Sequence, residues 1–331
     1  MAVLDGWRAL SILAVIAGHW FPLGPARWNL NASAAASGMA LFFTLSGFLI
    51  TYFLLADARI WPFVVKRVTR IVPLAWATMA ILVLASGASW REAVANFLFV
   101  SNLPPARLLP GGHHLWSLCV EMHFYLVAAL IVGLAGRKAL WALPLLCLAV
   151  TGLRILDDEI ISIVTWHRVD EILVGACVAL WWHYRSDASA VMRAGWLQWL
   201  SPIALAALVL AANPHSGDLG YLRPYLAALA VGSSLVAFPH ALKTLYVSRP
   251  ARYIAEISYA LYVVHGVLWD TWLGGKDADK VTRYLLRIPL VLATWAIAHL
   301  STRHFEAFFM RTARSYLKRR DAKLMDRIRP I

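Results

Sequence analysis

Apolar residues in this chain come in long, nearly uninterrupted stretches. Ten can be marked, at residues 7–23, 36–55, 72–87, 116–134, 138–153, 168–183, 195–212, 221–239, 254–272 and 284–303. Stretches that approach ~20 residues with few charges predict membrane-crossing α-helices. Transmembrane strands would instead alternate over about ten residues. The predicted fold is all-α, a polytopic transmembrane helical bundle of about ten spans. Several stretches are shorter than a straight span needs, so their ends must be wetter or shielded by neighbours. Residues 92–103 form a further apolar piece whose length suits an interfacial or re-entrant segment.

Composition strengthens this picture. Of 331 residues 60% are hydrophobic and only 15% are charged, which is too apolar for a soluble chain. The net charge of +13 suits either nucleic acid or a membrane surface. Because the basic residues flank apolar stretches, membrane orientation is the better account and no nucleic-acid partner is expected. Putting the N-terminus in the cytoplasm brings to the inner face Arg8, then Arg59, Lys66, Arg67 and Arg70, then Arg137 and Lys138. Arg185, Arg193, Lys243, Arg249 and Arg252 follow, and then the tail from Arg303 to Arg329. An even number of spans returns the C-terminus to the same side. The chain thus divides into a membrane domain, 1–305, and a basic cytoplasmic tail, 306–331, in which Arg311 to Ile331 is predicted as a solvated amphipathic helix on the anionic leaflet. Cys119, Cys147 and Cys177 have no paired spacing and read as small core residues.

Polar residues inside the apolar stretches are the candidates for chemistry, because each is costly there. The first helix, LDGWRALSILAVIAGHW from Leu4 to Trp20, carries Arg8 and His19. At ~1.5 Å per residue the two lie roughly 16 Å apart along one helix. His19 is either a histidine satisfied between helices or a base that can exchange a proton near neutral pH. In KRVTRIVP, Lys66 to Pro73, the arginines Arg67 and Arg70 share one helical face. They read either as an orientation anchor or as forks for phosphate oxygens. Pro73 is expected in the first turn of the following span. In HHLWSLCVEMHFYL, Glu121 lies inside a span and needs a partner, with His113, His114 and His123 nearby. The spacing fits no familiar metal set, and no metal is expected. In ISYALYVVHG, the residues Ser258, Tyr262 and His265 form one stripe beside Tyr259, as interhelical glue or as a cavity wall. Ser46 and Gly47, within MALFFTLSGFLIT, allow close approach of a neighbouring helix or passage of a slender ligand. Asp170 and Glu171 open a span beside Arg168, where Asp170 is expected to pair with Arg168.

Taken in order, LDGWRA with His19, FFTLSGFLIT, RVTRIVP, HLWSLCVEMHFY and ISYALYVVH resemble the acyltransferase-3 family of bacterial integral membrane acyltransferases. The matches cover residues 4–265. Each is degenerate alone, but the ordered set is specific. There are departures. Met122 and His123 follow Glu121 where many relatives have an acidic residue and a glutamine, and Gly266 and Val267 follow His265 in place of Trp-Pro. The resemblance implies O-acyl transfer, by default of acetyl, from cytoplasmic acyl-coenzyme A to a hydroxyl of a sugar or glycan at or beyond the outer half of a bacterial inner membrane. It implies that Arg8, Arg67 and Arg70 bind the coenzyme A phosphates and that His19 and Glu121 carry the catalysis, with Glu121 orienting or charge-balancing the imidazole. Ser46, His114, Ser258, Tyr259 and His265 would then contact substrate. Expected partners are membrane lipid, the glycan acceptor and other glycan-synthesis proteins. Two alternatives remain. A transporter or flippase would also carry intramembrane His, Glu and Arg, and a non-catalytic scaffold would tolerate their loss.

Overall fold

A computed structural model describes residues 1–185 and 195–328, so Arg193 and Arg329 of the basic clusters lie outside the described residues. Thirteen α-helices are described: α1 (Val3–Trp20), α2 (Leu30–Ala56), α3 (Ile60–Ser86), α4 (Trp90–Phe97), α5 (Trp116–Ala135), α6 (Leu143–Leu156) and α7 (Asp170–Tyr184), then α8 (Leu200–Ala211), α9 (Arg223–Val236), α10 (His240–Tyr246), α11 (Arg249–Trp269), α12 (Lys280–Leu300) and α13 (Ala307–Ile328). Each of the ten apolar stretches coincides with one of them. Among the described residues, six helical stretches are long and apolar enough to cross a membrane by length and composition: Ala26–Ala56, Ile60–Ser86, His113–Ala135, Arg137–Leu156, Gly217–Val236 and Lys280–Ala322. Leu84, Leu134 and Leu156 are 84–87% exposed, an apolar rim that suits lipid rather than water.

Helix α2 is the centre. Phe43, Phe48, Ile50, Leu54 and Leu55 are sealed inside, and α1 and α7 pack along its length. The α2–α7 crossing is so close that only glycine fits. A Cβ on Gly47 would lie 1.8 Å from the carbonyl oxygen of Ile172, and one on Gly175 would lie 2.0 Å from that of Thr44. Lipid is as apolar as leucine, so hydrophobic burial does little to join these helices. Close van der Waals approach does, and it needs small residues on both faces.

Three local expectations change. First, α3 runs unbroken from Ile60 to Ser86 with Pro73 in its interior. The basic cluster therefore sits within the helix rather than before it, and Arg67 and Arg70 project from its middle turns. Second, Asp170 pairs with Arg154 of α6, not with Arg168. Arg168 instead meets Glu171 at 3.2 Å, which Arg223 of α9 also contacts at 2.6 Å. All five of these side chains are buried. A buried charge persists only when paired, and the network ties α6, α7 and α9 together. Third, α12 passes through a π-helical turn, Ser301–Glu306, straight into α13. The first half of the tail helix packs on α3 through buried Ala313 and Leu317.

Candidate active site

Two cavities open at opposite ends of α1. At the Arg8 end a cavity of about 830 Å³ is lined by Asp5, Arg8, Lys66, Arg67, Arg70 and Arg314, with Tyr52 and Phe53 on its apolar side. It leads into a narrower chamber of about 130 Å³ that shares Arg8, Arg67 and Arg70. The guanidinium of Arg67 lies 5.0 Å from the Phe53 ring centre, and its Nε is buried without a hydrogen-bond partner. Arg70 is held differently. Its Nη1 lies 2.8 Å from Glu306 Oε2, and its guanidinium stands 5.7 Å from the Tyr259 ring. Glu306 comes from the π-helical turn, a local widening that frequently marks functional sites.

The narrow chamber also collects Ser46, Glu121, Ser258 and Tyr259. Tyr125 lies one turn beyond Glu121 on α5 and donates its hydroxyl proton to Glu121 Oε1 at 3.0 Å. With that proton committed, Ser46 Oγ donates to the Tyr125 hydroxyl at 2.8 Å. Tyr259 donates to the carbonyl of Ile71 at 2.6 Å, and Ser258 to that of Ala255 at 2.8 Å. These four residues thus join the arginines rather than His19.

The other end is built on imidazoles. His19 is exposed in the last turn of α1 and lines a cavity of about 340 Å³ with Trp20, Phe21, Asn31, Trp269, Arg283 and Arg287. Its Nδ1 lies 3.1 Å from Nε2 of His265, which is only 1% exposed. His265 Nδ1 in turn lies 2.7 Å from the carbonyl oxygen of Tyr262. A carbonyl can only accept, so the neutral His265 ring carries its proton on Nδ1 and accepts at Nε2. His19 must then donate from Nδ1, which leaves the lone pair of its Nε2 free. The hydrogen-bond partner of the His19 ring is His265, while Glu121 lies in the narrow chamber with the arginines. His114 completes the cluster, with its ring centre 4.8 Å from that of His265 and its Nε2 donating to the carbonyl of Val263 at 3.0 Å. Gly266, one of the departures from the family pattern, is explained here. A Cβ on it would fall 2.2 Å from the His114 ring.

Between the two ends lies an aromatic layer. Phe42, in the wall of the narrow chamber, stacks on Tyr262 with centroids 5.6 Å apart. The Tyr262 ring is 5.5 Å from that of His265, and its hydroxyl, which donates to the carbonyl of His114, accepts from Ser117 Oγ at 2.6 Å.

Several contributors carry no signal in the sequence. Asn31 donates to the carbonyls of Gly18 and Phe21, pinning the end of α1 that presents His19. Glu306 and Arg287 look like ordinary charges near the ends of the last apolar stretch. Only long-range packing brings them to the arginine and histidine cavities.

The sequence profile of the acyltransferase-3 family, described as an acyltransferase domain, matches residues 1–300. The peptidoglycan O-acetyltransferase OatA of Listeria monocytogenes is 26% identical over 92% of this chain and 54% of its own length. The putative peptidoglycan O-acetyltransferase YrhL of Bacillus subtilis is 29% identical over 54% of this chain and 33% of its own. Nodulation protein 10 of Rhizobium leguminosarum bv. viciae is 26% identical over 53% of this chain and 62% of its own. The chain therefore spans between a third and two thirds of these relatives. No solved structure matches it significantly. The chain belongs to the acyltransferase-3 family of acyltransferases.

Proposed function

We infer that the protein is a membrane O-acyltransferase that moves an acyl group, by default acetyl, from cytoplasmic acyl-coenzyme A to a hydroxyl of a sugar or glycan at the opposite face. The membrane is the bacterial inner membrane, crossed about ten times with both termini inside. One observation carries this reading: a single helix, α1, joins a cavity lined by Arg8, Arg67 and Arg70 to a second cavity into whose lining it places His19, backed by His265. The relatives named as O-acetyltransferases favour acetyl as the group and a glycan as the acceptor.

The donor-side residues suit a phosphate-rich donor. Arg8, Lys66, Arg67, Arg70 and Arg314 surround one cavity, and the unpartnered Nε of Arg67 awaits an acceptor oxygen. Acyl-coenzyme A supplies an activated thioester carbonyl. Its slender arm matches the narrow chamber past Ser46, Glu121 and Ser258. Glu121 offsets the charge of Arg8 and Arg67 at that constriction, and Ser46 and Tyr125 hold its carboxylate in place. At the far end, His19 Nε2 takes the proton of the acceptor hydroxyl as its oxygen attacks the thioester carbon. The new C–O bond forms, the C–S bond breaks, and the proton passes to the leaving thiolate. The same lone pair can carry the acyl group transiently. His265 holds the ring and stabilises its positive charge, as a third group does in triad chemistry.

The test is a sided assay. Radiolabelled acetyl-coenzyme A should bind inside-out but not right-side-out vesicles, and His19→Ala should abolish transfer while leaving binding intact. Normal acetylation by a folded His19→Ala protein would refute the reading. A transporter without acyl chemistry would move substrate with no labelled product.

A further inference from the structure

Arg287 of α12 has no role in the mechanism above, yet it lines the His19 cavity. Its guanidinium is packed among three rings, 4.8 Å from Tyr284, 5.8 Å from Trp269 and 6.0 Å from Phe21. Nε and Nη1 are covered and have no hydrogen-bond partner, which leaves Nη2 as the accessible nitrogen. The other cations of the cavity are engaged. Lys276 is bound to Asp270, while Arg283 donates to the carbonyl of Gly275 at 3.0 Å and to that of Lys276 at 3.0 Å. No aspartate or glutamate lines the cavity, and none of the described residues forms an ion pair with Arg287. One uncompensated guanidinium therefore lines the same cavity as His19.

An arginine fixed by aromatic packing and short of acceptors is suited to an oxyanion, which it can meet with charge-assisted bonds. The half-buried ring of Trp269 in the same cavity suits the carbon face of a sugar ring. We propose that this cavity selects an anionic glycan, in which a carboxylate or phosphate on or next to the acylated sugar docks on Arg287 and brings the hydroxyl to His19. The proposal rests on the O-acyltransferase reading and names its acceptor class.

The experiment uses the source bacterium with the gene deleted and restored as wild type, His19→Ala, Arg287→Gln or Arg287→Lys. Surface and secreted glycans are cleaved, separated by anion exchange and weighed by mass spectrometry. The acetyl increment lost on deletion should lie on fragments retained as anions. Phosphatase treatment separates a phosphate from a uronic-type carboxylate. Arg287→Gln, at wild-type membrane abundance, should lower that increment by about tenfold, the scale of one charge-assisted contact. Arg287→Lys keeps the charge and should recover most of it. An increment restored by wild type but carried on uncharged fragments would overturn the proposal alone, as would full acetylation by Arg287→Gln. The latter result would leave Arg287 as a lipid-headgroup anchor. No lost increment in either the deletion or His19→Ala would instead overturn the acyltransferase reading, and the acceptor class with it.

Discussion

The proton on His265 Nδ1 decides what His19 can do. Held by the carbonyl of Tyr262, it turns Nε2 of His265 into an acceptor and so sets the tautomer of His19. Replacing His265 with alanine removes that acceptor and lets the exposed His19 ring turn. The expected result is a fall in kcat of about 10–100-fold, comparable to losing the partner that orients a ligating histidine, with KM for acyl-coenzyme A little changed. His265→Gln offers a carbonyl oxygen in place of Nε2 and should recover part of the rate. Steady-state transfer in proteoliposomes would measure both, and an unaltered kcat in His265→Ala would refute the tautomer argument. Both histidines stand out in the sequence, but they are 246 positions apart and nothing local pairs them. Glu121 is the converse case. A carboxylate in an apolar stretch announces that it needs company, yet the choice of company depends on the rotation of α5. Its i, i+4 partner Tyr125 turns it toward Ser46 and the arginines.

At the scale of elements, the α2–α7 crossing is the most exacting contact. Gly175→Ala would drive a methyl group into the Thr44 carbonyl, and backbone cannot yield as a flexible side chain does. The helices must separate, at a cost of about 1–3 kcal/mol typical of overpacking. The same crossing orders Ser46 beside Gly47, so activity should fall with stability. Thermal unfolding in detergent should register a lower midpoint for Gly175→Ala. Gly152→Ala, at a position with open space around it, serves as the control. An unchanged midpoint for Gly175→Ala would mean that the crossing is looser than described. The helices themselves were legible because membrane helices must be apolar over most of their surface. Their joints were less so. Pro73 carries the mark of a helix start, but α3 continues through it because the preceding turns from Ile60 are also helical. Asp170 finds Arg154 rather than its neighbour Arg168 because Arg168, in the turn before α7, points toward Glu171 and the rings of Phe43 and Trp116.

For the whole molecule the decisive quantity is which cavity faces the cytoplasm. The proposed donor, acyl-coenzyme A, is made there, and its phosphates would call for the arginine cavity. The charge pattern favours the same orientation, since Arg59, Lys66, Arg67, Arg70 and Arg314 gather at that end, while Lys276 and Arg283 at the other end have Asp270, Asp277 and Asp279 close by in sequence. Two positions report on the ends directly. Arg59 is 61% exposed beside the arginine end, and Lys276 is 54% exposed at the rim of the histidine cavity. Cys119 and Cys147 are buried and Cys177 is half-buried, so background labelling should be low. In intact spheroplasts a membrane-impermeant maleimide should label Lys276→Cys at once. Arg59→Cys should react only after permeabilisation. The reverse pattern would put the arginines on the side that lacks coenzyme A. In that case no variant at His19 or His265 could rescue the proposed direction of transfer, because the donor would never meet the cavity built for it.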